Sequence, residues 1–401
     1  MPEQSGFIPV AKPWMDEREA DAARRSILSG WVTQGPEVAA FEQEFAAMVG
    51  APYACAVSSC TTGLHLALLA AGVKAGDEVI TVSHSFIATA NSVRYCGATP
   101  VFVDIEHATF NIDPAEIEPA ITARTRAILC VHQIGMPCDL DAILPIARRH
   151  SLPVIEDAAC AIGSEILWNG KWEKIGKPHG DVACFSFHPR KLLTTGDGGM
   201  LTTANPDYDR RFRRWRQHSM SVSAATRHES KQVTFEAYPD LGYNYRMTDI
   251  AGAIGREQIK RLPEIVARRR ELAARYHHLF AKVPGVGIPF EPEFVRSNWQ
   301  SYSVRLPDAC DQTAVMQFML DRGIATRRGV MCSHREPAYT DRDYRIAGNL
   351  HQSEAAQDHT IIIPLFHQMT SAEQDRVVDA LAEAVAIQST AGTATHQRRA
   401  L

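Results

Sequence analysis

Few lysines are available for covalent chemistry in this sequence, because only nine of its 42 cationic residues are lysine. One of them, Lys191, follows an apolar run that ends at Ser186, and it precedes the glycine-rich stretch 196–199. An amine held at a strand end can lose its hydration, which lowers its pKa and suits Schiff-base chemistry. The alternative is a lysine that is simply exposed on a loop.

A carboxylate follows a second apolar run. Asp157 ends the segment LPVIED, where it could coordinate a metal, act as a base or hold a cationic ring nitrogen. Alternation along a strand predicts that the neighbouring Glu156 faces the other side of the sheet. The alternative for Asp157 is that it caps the next helix.

Hydroxyl groups cluster before a predicted helix in the segment CAVSSCTTGLHLALLAAG. Thr61 and Thr62, together with free backbone N–H groups at the helix start, would form an anion site that fits a phosphate. The segment lacks the G-K-[ST] of a Walker loop, and the region has no dinucleotide G-x-G-x-x-G motif. Taken alone, the hydroxyls are also explained as a helix cap.

Three further residues follow predicted strands or turns. Phe86 could cover a planar ring, although it could equally belong to the core. Asn244 and Arg246 lie in an aromatic-rich turn before a helix and could reach a phosphate, or they could serve the turn alone. Lysine, carboxylate, anion site and aromatic ring together form one complete set for pyridoxal 5'-phosphate (PLP), so we predict this cofactor.

The elements that must position these residues alternate in type. Between residues 50 and 205, short apolar strands alternate with helices, which predicts an α/β fold with a largely parallel sheet. In such sheets ligands bind beyond the C-terminal ends of the strands. All the residues named above are expected at that edge.

The chain is expected to divide into two domains. A helical pattern from Thr248 runs through Pro263, and beyond it the pattern changes to that of a small α+β domain. We predict a large domain over residues 1–265, a small domain over 266–390 and a disordered tail over 391–401. The polar stretch 221–240 is predicted to be a long loop.

Composition excludes several classes of protein. The net charge of −4 makes a nucleic-acid surface unexpected, and no 18-residue apolar run predicts a membrane span. The N-terminus has no signal-peptide pattern, so a cytoplasmic location is expected. The nine cysteines are irregularly spaced and are predicted to be buried thiols, and the histidines lack metal-ligand spacing, so no metal site is predicted.

Several segments resemble the DegT/StrS type of sugar aminotransferase, over about residues 8 to 385. The resemblance is carried by SGWVTQGPEVAAFEQEFA, EVITVSHSFIATANSVRYCGATPVFVDI, VIEDAACAIGSE, SFHPRKLLTTGDGGM and LGYNYRMTDIAGAIG. It implies a fold-type I PLP enzyme that works as a homodimer with active sites at the subunit interface.

The resemblance also implies residue roles. Lys191 would bind the cofactor covalently and shuttle the proton, Asp157 would pair with the ring nitrogen, and Phe86 would stack on the ring. The phosphate would be held by a set from two subunits: Thr61, Thr62, Ser186 and, from the neighbouring subunit, Asn244 and Arg246. The sugar site would be lined by Trp31, Thr33, Gln34 and His334.

Three positions depart from the family pattern. Cys160 stands where His or Gln is common near the cofactor's phenolic oxygen, and a thiol is a weak hydrogen-bond partner. Cys60 replaces a common Gly in the phosphate site, and Asp197 replaces a common Glu.

The implied reaction has two stages, in which glutamate gives its amino group to the cofactor and a nucleotide-linked keto sugar receives it. The segment TTGDGG resembles the corresponding segment of enzymes that act on 4-keto-6-deoxysugars.

A keto-inositol aminotransferase of aminocyclitol synthesis remains an alternative. A PLP sugar dehydratase is disfavoured because that branch replaces the lysine with His. A regulatory protein without catalysis is disfavoured by the complete cofactor set.

Overall fold

The computed structural model describes residues 6–222, 233, 235–340 and 343–399, with side chains up to residue 388. The helices are α1 (Glu17–Ser29), α2 (Pro36–Val49), α3 (Cys60–Ala70), α4 (Ala88–Tyr95), α5 (Ile117–Ala120), α6 (Leu140–Arg149), α7 (Pro206–Trp215), α8 (Asp249–Phe280), α9 (Gln312–Asp321), α10 (His351–His359) and α11 (Ser371–Arg399). The strands are β1 (Tyr53–Val57), β2 (Glu78–Val82), β3 (Thr99–Val103), β4 (Thr125–Val131), β5 (Val154–Asp157), β6 (Glu165–Trp168), β7 (Lys171–Lys174), β8 (Val182–Ser186), β9 (Gly199–Thr203), β10 (Val295–Arg296), β11 (Tyr302–Arg305), β12 (Arg327–Arg328), β13 (Arg345–Ile346) and β14 (Thr360–Ile363). Short 3₁₀ turns cover Pro114–Glu116, Gln133–Gly135, Ser333–Arg335 and Pro337–Tyr339.

An eight-stranded central sheet has the order β1-β9-β8-β5-β4-β2-β3-β13. Every strand except β9 runs in the same direction, so the prediction of a mostly parallel α/β sheet is confirmed. The strands β2, β5 and β9 are buried along their whole length. Short runs of apolar, often β-branched residues suit strands that are covered on both faces by helices.

Two helices beside the sheet edge begin at side-chain caps. Ser59 accepts the N–H of Thr62 at the start of α3, and Thr248 accepts the N–H of Ala251 at the start of α8. The helix α8 runs 32 residues through Pro263, as the sequence predicts. It connects the two parts of the chain, because its second half packs in a different core from its first half.

A second hydrophobic core lies around the sheet β11-β14-β12. It contains the second half of α8, α9 and α11, which are elements of the predicted small α+β domain. Two segments pack with the domain to which they were not assigned. Ile8, from the N-terminal segment, is buried in this core, and β13 pairs with β3 in the large sheet.

Two segments differ from their predictions. Residues 165–174 form the hairpin β6–β7, which was not predicted from the sequence. Lys174 Nζ there donates to the Met48 carbonyl at 3.0 Å. The last helix continues to Arg399, although disorder was expected from residue 391. The predicted loop 221–240 lies partly outside the described residues. Residues 400 and 401, at the end of the predicted tail, lie wholly outside them.

No helix among the described residues is both long and apolar enough to cross a lipid bilayer. All nine cysteines are free thiols, and eight of them are buried, as predicted. The exception is Cys160, which is partly exposed.

Candidate active site

The predicted catalytic residues meet at one edge of the central sheet. Asp157 is the last residue of β5, and Ser186 is the last residue of the neighbouring β8. Lys191 follows in the turn after β8, and Phe86 follows β2. Because these parallel strands all end at the same edge, the topology brings together residues that are far apart in sequence.

Asp157 is a buried carboxylate that accepts two short hydrogen bonds. Thr89 donates its hydroxyl to Oδ2 at 2.7 Å, and the Ala159 N–H donates to Oδ1 at 3.1 Å. Burial raises the pKa of this carboxyl above its usual value, although both hydrogen bonds and the nearby Lys191 act in the opposite direction. No helix begins after β5, so Asp157 does not act as the helix cap that was the alternative.

Lys191 points its amine at a thiol. Its Nζ donates to the Cys160 Sγ at 3.0 Å. Burial lowers the pKa of the Lys191 amine, but Cys160, Cys60 and Asp157 together outweigh burial and leave it above its usual value. The expectation of a lowered pKa for the Lys191 amine is therefore wrong, because the sequence could not show how close these groups lie.

The start of α3 is the place where the anion site was predicted. Thr62 and Ser59 cap each other's backbone N–H groups, so the cap alternative is also realised. A Cβ at Gly199 would lie 2.6 Å from the Cys60 nitrogen, so only glycine lets β9 approach this helix end. Thr61 is half-buried at the first turn of the helix, where it can face a ligand.

Cys60 lies between this helix end and Asp157. Its Sγ donates to the Cys184 carbonyl at 3.4 Å and is 4.0 Å from Asp157 Oδ1. Burial raises the pKa of the Cys60 thiol well above its usual value, which keeps it neutral. The family's common Gly is thus replaced by a small uncharged group that fits the same wall.

Phe86 and Asn244 are exposed, whereas Arg246 is half-buried. Phe86 is 64% exposed, which excludes the alternative of a core residue and leaves its ring free to cover a ligand. Asn244 is exposed, and its Oδ1 accepts from Arg246 Nε and Nη2 at 3.2 and 3.0 Å. Between them, the Tyr245 carbonyl accepts the Ser58 N–H, so this turn is attached to the β1–α3 connection.

The predicted sugar-site segment precedes α2 and is held by a residue that the sequence did not single out. Asp249, the first residue of α8, accepts the N–H groups of Gly35, Glu37 and Val38 at 2.7 to 3.1 Å. Its own N–H donates to the Thr33 carbonyl. Asp249 could have been noticed only by its place after the capping Thr248.

Two predicted sugar-site residues, Gln34 and His334, differ in whether their polar side-chain atoms have hydrogen-bond partners. In the described part of the chain, Gln34 Oε1 is buried without a hydrogen-bond partner, as expected of a group that awaits a polar ligand. Both ring nitrogens of His334 already have partners, Ser83 Oγ at 2.7 Å and Glu354 Oε1 at 3.0 Å. Trp31 lies against the position that a Cβ of Gly35 would take.

The residues present fit PLP by the chemistry of their groups. A lysine amine, a buried carboxylate and a helix N-terminus with hydroxyls line one sheet edge, and glycine is required where β9 meets that helix. The fold and this set define a fold-type I PLP aminotransferase. The chain belongs to the DegT/DnrJ/EryC1/StrS aminotransferase family, whose model matches residues 13–382.

Its relatives agree along nearly the whole chain. It is 37% identical over 389 residues to the spore coat polysaccharide biosynthesis protein SpsC of Bacillus subtilis, covering 94% of this chain and 97% of SpsC. Among solved structures, the aminotransferase TlmJ of Streptoalloteichus hindustanus superposes with a TM-score of 0.86 at 33% identity, over 96% of this chain and all of TlmJ. Spr1654 of Streptococcus pneumoniae, in its PLP form, gives a TM-score of 0.87 at 25% identity over 95% and 99% of the two chains. The protein is accordingly a PLP-dependent enzyme that aminates a sugar.

Proposed function

We propose that this enzyme transfers an amino group from glutamate to the keto carbon of a nucleotide-linked 4-keto-6-deoxysugar, and that it works in the cytoplasm as a homodimer. The observation that carries the proposal is the Lys191 amine at the sheet edge, beside Cys160 and near the buried Asp157. An amine in that place can exchange protons with a carbon held next to it.

Each residue has a distinct task in this proposal. PLP, when bound, supplies an electron sink for the carbon that loses or gains a proton. Lys191 binds the cofactor and then moves the proton at Nζ. Asp157 places a negative charge against the ring nitrogen, and Thr89 orients that carboxylate. Thr61, Thr62 and Ser186 contribute hydroxyls to the phosphate at the positive end of α3.

Two arginines near Lys191 support an anionic substrate. The pKa of Arg190 is lowered by burial and by repulsion from Arg327. A diphosphate or a carboxylate placed between them would relieve this repulsion, and Arg is well suited to bind both groups. The nucleotide diphosphate of the sugar and the carboxylates of glutamate are anions of this kind.

Other features support the sugar class and the dimer. The name of SpsC refers to polysaccharide biosynthesis, and the stretch TTGDGG is present in this chain. Trp31, Thr33 and Gln34 are proposed to contact the sugar, with the unpartnered Gln34 Oε1 accepting a hydroxyl. His334 would act through Ser83 and Glu354 and would shape the site without donating to the sugar directly. The exposed Asn244 is proposed to reach the neighbouring subunit's phosphate.

Spectroscopy and substrate panels test the proposal. The purified protein should show the absorbance of bound PLP, and glutamate should bleach it in a single turnover. A panel of keto sugars carrying different nucleotides should then restore the absorbance with only some members. Lys191→Ala should keep the fold but lose the half-reaction with glutamate by at least about 10³-fold. A wild-type rate in this variant would refute the central role of Lys191.

A further inference from the structure

We propose that Cys160 and Lys191 form a redox-sensitive pair, in which oxidation of the thiol leads to a covalent S–N bond whenever the lysine amine is free. The pair would reversibly block the residue that binds the cofactor. The cross-link follows from the two side chains alone, whereas its control by PLP rests on the proposed role of Lys191.

The geometry already brings the reacting atoms together. Cys160 Sγ and Lys191 Nζ are 3.0 Å apart, within the 3 to 3.5 Å separation typical of a near-attack arrangement. Each atom lies on a segment that follows a strand, β5 for the thiol and β8 for the amine, and these strands are hydrogen-bonded neighbours. The two atoms therefore need no backbone rearrangement to react.

Cys160 is also the thiol that an oxidant can reach. It is partly exposed, while the other eight cysteines are buried. The adjacent Cys60 is buried, and its thiol is kept neutral by a pKa well above its usual value. Thiolate character and exposure decide which cysteine is oxidised. Since Cys160 is the cysteine that is partly exposed, oxidation should select this position.

The chemistry balances with hydrogen peroxide as the oxidant. The Cys160 thiol reacts with one peroxide to give a sulfenic acid and one water, so sulfur is oxidised by two electrons and the peroxide is reduced. The Lys191 ammonium releases its proton, and the free amine attacks the sulfur. An S–N bond forms, the S–O bond breaks, and the hydroxyl leaves with an amine hydrogen as a second water. Two equivalents of an external thiol restore both side chains and become a disulfide.

Peptide mapping tests the pair directly. The full-length protein, freed of PLP, is treated with equimolar hydrogen peroxide and digested with a protease that does not cleave at lysine. We expect a cross-linked peptide joining Cys160 to Lys191, lighter by about 2 Da than the sum of the two reduced peptides. Dithiothreitol should remove it and restore PLP binding. A dimedone adduct or a sulfinic acid at Cys160, with Lys191 unmodified, would overturn the proposal.

Two variants and the bound cofactor serve as controls. Cys160→Ser should abolish the cross-linked peptide, whereas Cys96→Ser, which removes a buried thiol at the end of α4, should leave it unchanged. A cross-link that persists in Cys160→Ser contradicts the assignment. Protein loaded with PLP should be protected, because the Lys191 nitrogen is then occupied. If the unloaded protein cross-links but PLP gives no protection, the pair stands and the cofactor role of Lys191 fails.

Discussion

At the scale of single residues, two neighbouring carboxylates on β5 serve different purposes because strand side chains alternate. Asp157 faces the site and accepts from Thr89. Glu156 faces the other side, as predicted, and accepts from the Gly180 N–H and from His132 Nε2, each at 2.9 Å. His132 Nδ1 accepts the Cys138 N–H, so Nε2 carries the proton that it donates to Glu156. Asp157 is therefore available for catalysis, whereas Glu156 stabilises the loops that carry His132 and Gly180.

Asp157→Asn should separate stability from activity. Burial raises the pKa of Asp157, so the folded protein binds this proton more tightly than the unfolded chain does. The ionised carboxylate therefore costs stability at neutral pH, and this cost disappears as the pH falls below the folded pKa and then the unfolded pKa. We expect the cofactor-free variant to melt at a higher temperature at pH 7, with no gain in acid. Transamination should fall by about 10²–10³-fold.

Glu156→Gln is the matched control on the same strand. It should reduce the melting temperature, because a buried charge-assisted hydrogen bond is weakened, while the rate per folded molecule stays within a few-fold of wild type. Melting curves between pH 4 and 8, recorded with the half-reaction rate, distinguish the two variants. An Asp157→Asn protein that is less stable at pH 7 would contradict the sign derived from its pKa.

At the scale of elements, strands made of apolar runs were predictable and polar strands were not. The segments EVITVS and DVACFSF predicted β2 and β8 directly, because a strand buried on both faces must be apolar. The hairpin β6–β7 was missed because its residues are polar and its third strand, β10, comes from far along the chain. Likewise, β13 has only two residues and joins the large sheet from within the predicted small domain.

Gly199→Ala should damage the phosphate site through the backbone. The new Cβ would lie 2.6 Å from the Cys60 nitrogen and from the Ser59 carbonyl carbon, so β9 and the start of α3 must move apart. A displacement near 1 Å at a reacting site costs about 10²-fold in rate. We expect PLP affinity and turnover both to fall, measured by absorbance titration and by the half-reaction with glutamate.

Gly63→Ala is the corresponding control in the same helix. Its Cβ would meet Val57 and Leu201 side chains at 3.5 Å or more, which is ordinary contact. Alanine also favours helix over glycine, by up to about 1 kcal/mol. This variant should keep PLP affinity and gain or retain stability. Equal losses in both variants would show that α3 tolerates no change, rather than that Gly199 permits a close approach.

Asp249→Ala should loosen the proposed sugar segment. It leaves the N–H groups of Gly35, Glu37 and Val38 without their acceptor, at a cost of about 1–3 kcal/mol in unfolding free energy. Because the same carboxylate connects α8 to the residues beside Gln34, KM for the keto sugar should rise by about tenfold, equivalent to about 1.4 kcal/mol. The rate of the glutamate half-reaction should change much less.

Asp311→Ala provides the comparison for a purely structural cap. Asp311 accepts the Ala314 N–H at the start of α9, in the small-domain core. Its loss should cost about 1 kcal/mol in stability and leave KM for the sugar unchanged. If both variants alter KM equally, or if Asp249→Ala alters only stability, Asp249 does not position the sugar segment.

At the scale of the whole molecule, the sequence predicted which residues line the site but not how they contact each other. Lys191 and Asp157 were recognisable because each follows an apolar run. Thr89 was not, since it lies within α4 and its hydroxyl reaches Asp157 only through the packing of that helix beside the sheet edge. The opposite pKa shift of Lys191 has the same origin, because Cys160 and Cys60 are near it only in the folded chain.

Three exposed apolar side chains support the proposed dimer. Phe86, Phe235 and Leu241 are 64%, 89% and 80% exposed. Exposed apolar side chains that lie together on a protein surface commonly mark an interface. Phe86 follows the end of β2, and Leu241 lies shortly before the site residue Asn244 in the chain. An interface that covered these two residues would therefore adjoin the active site.

Mixing two inactive variants tests whether the active site is shared. Lys191→Ala removes the amine of its own site, and Asn244→Ala removes a side chain proposed to serve the partner's site. In a mixed dimer with two-fold symmetry, one site then receives both defects and the other receives neither. After the variants are co-refolded at equal amounts, half of the dimers are mixed, so about a quarter of wild-type activity should return.

Analytical ultracentrifugation of the same sample checks that dimers form. If dimers form but activity stays at the level of the separate variants, Asn244 serves its own subunit, where the Ser58–Tyr245 hydrogen bond already holds its turn.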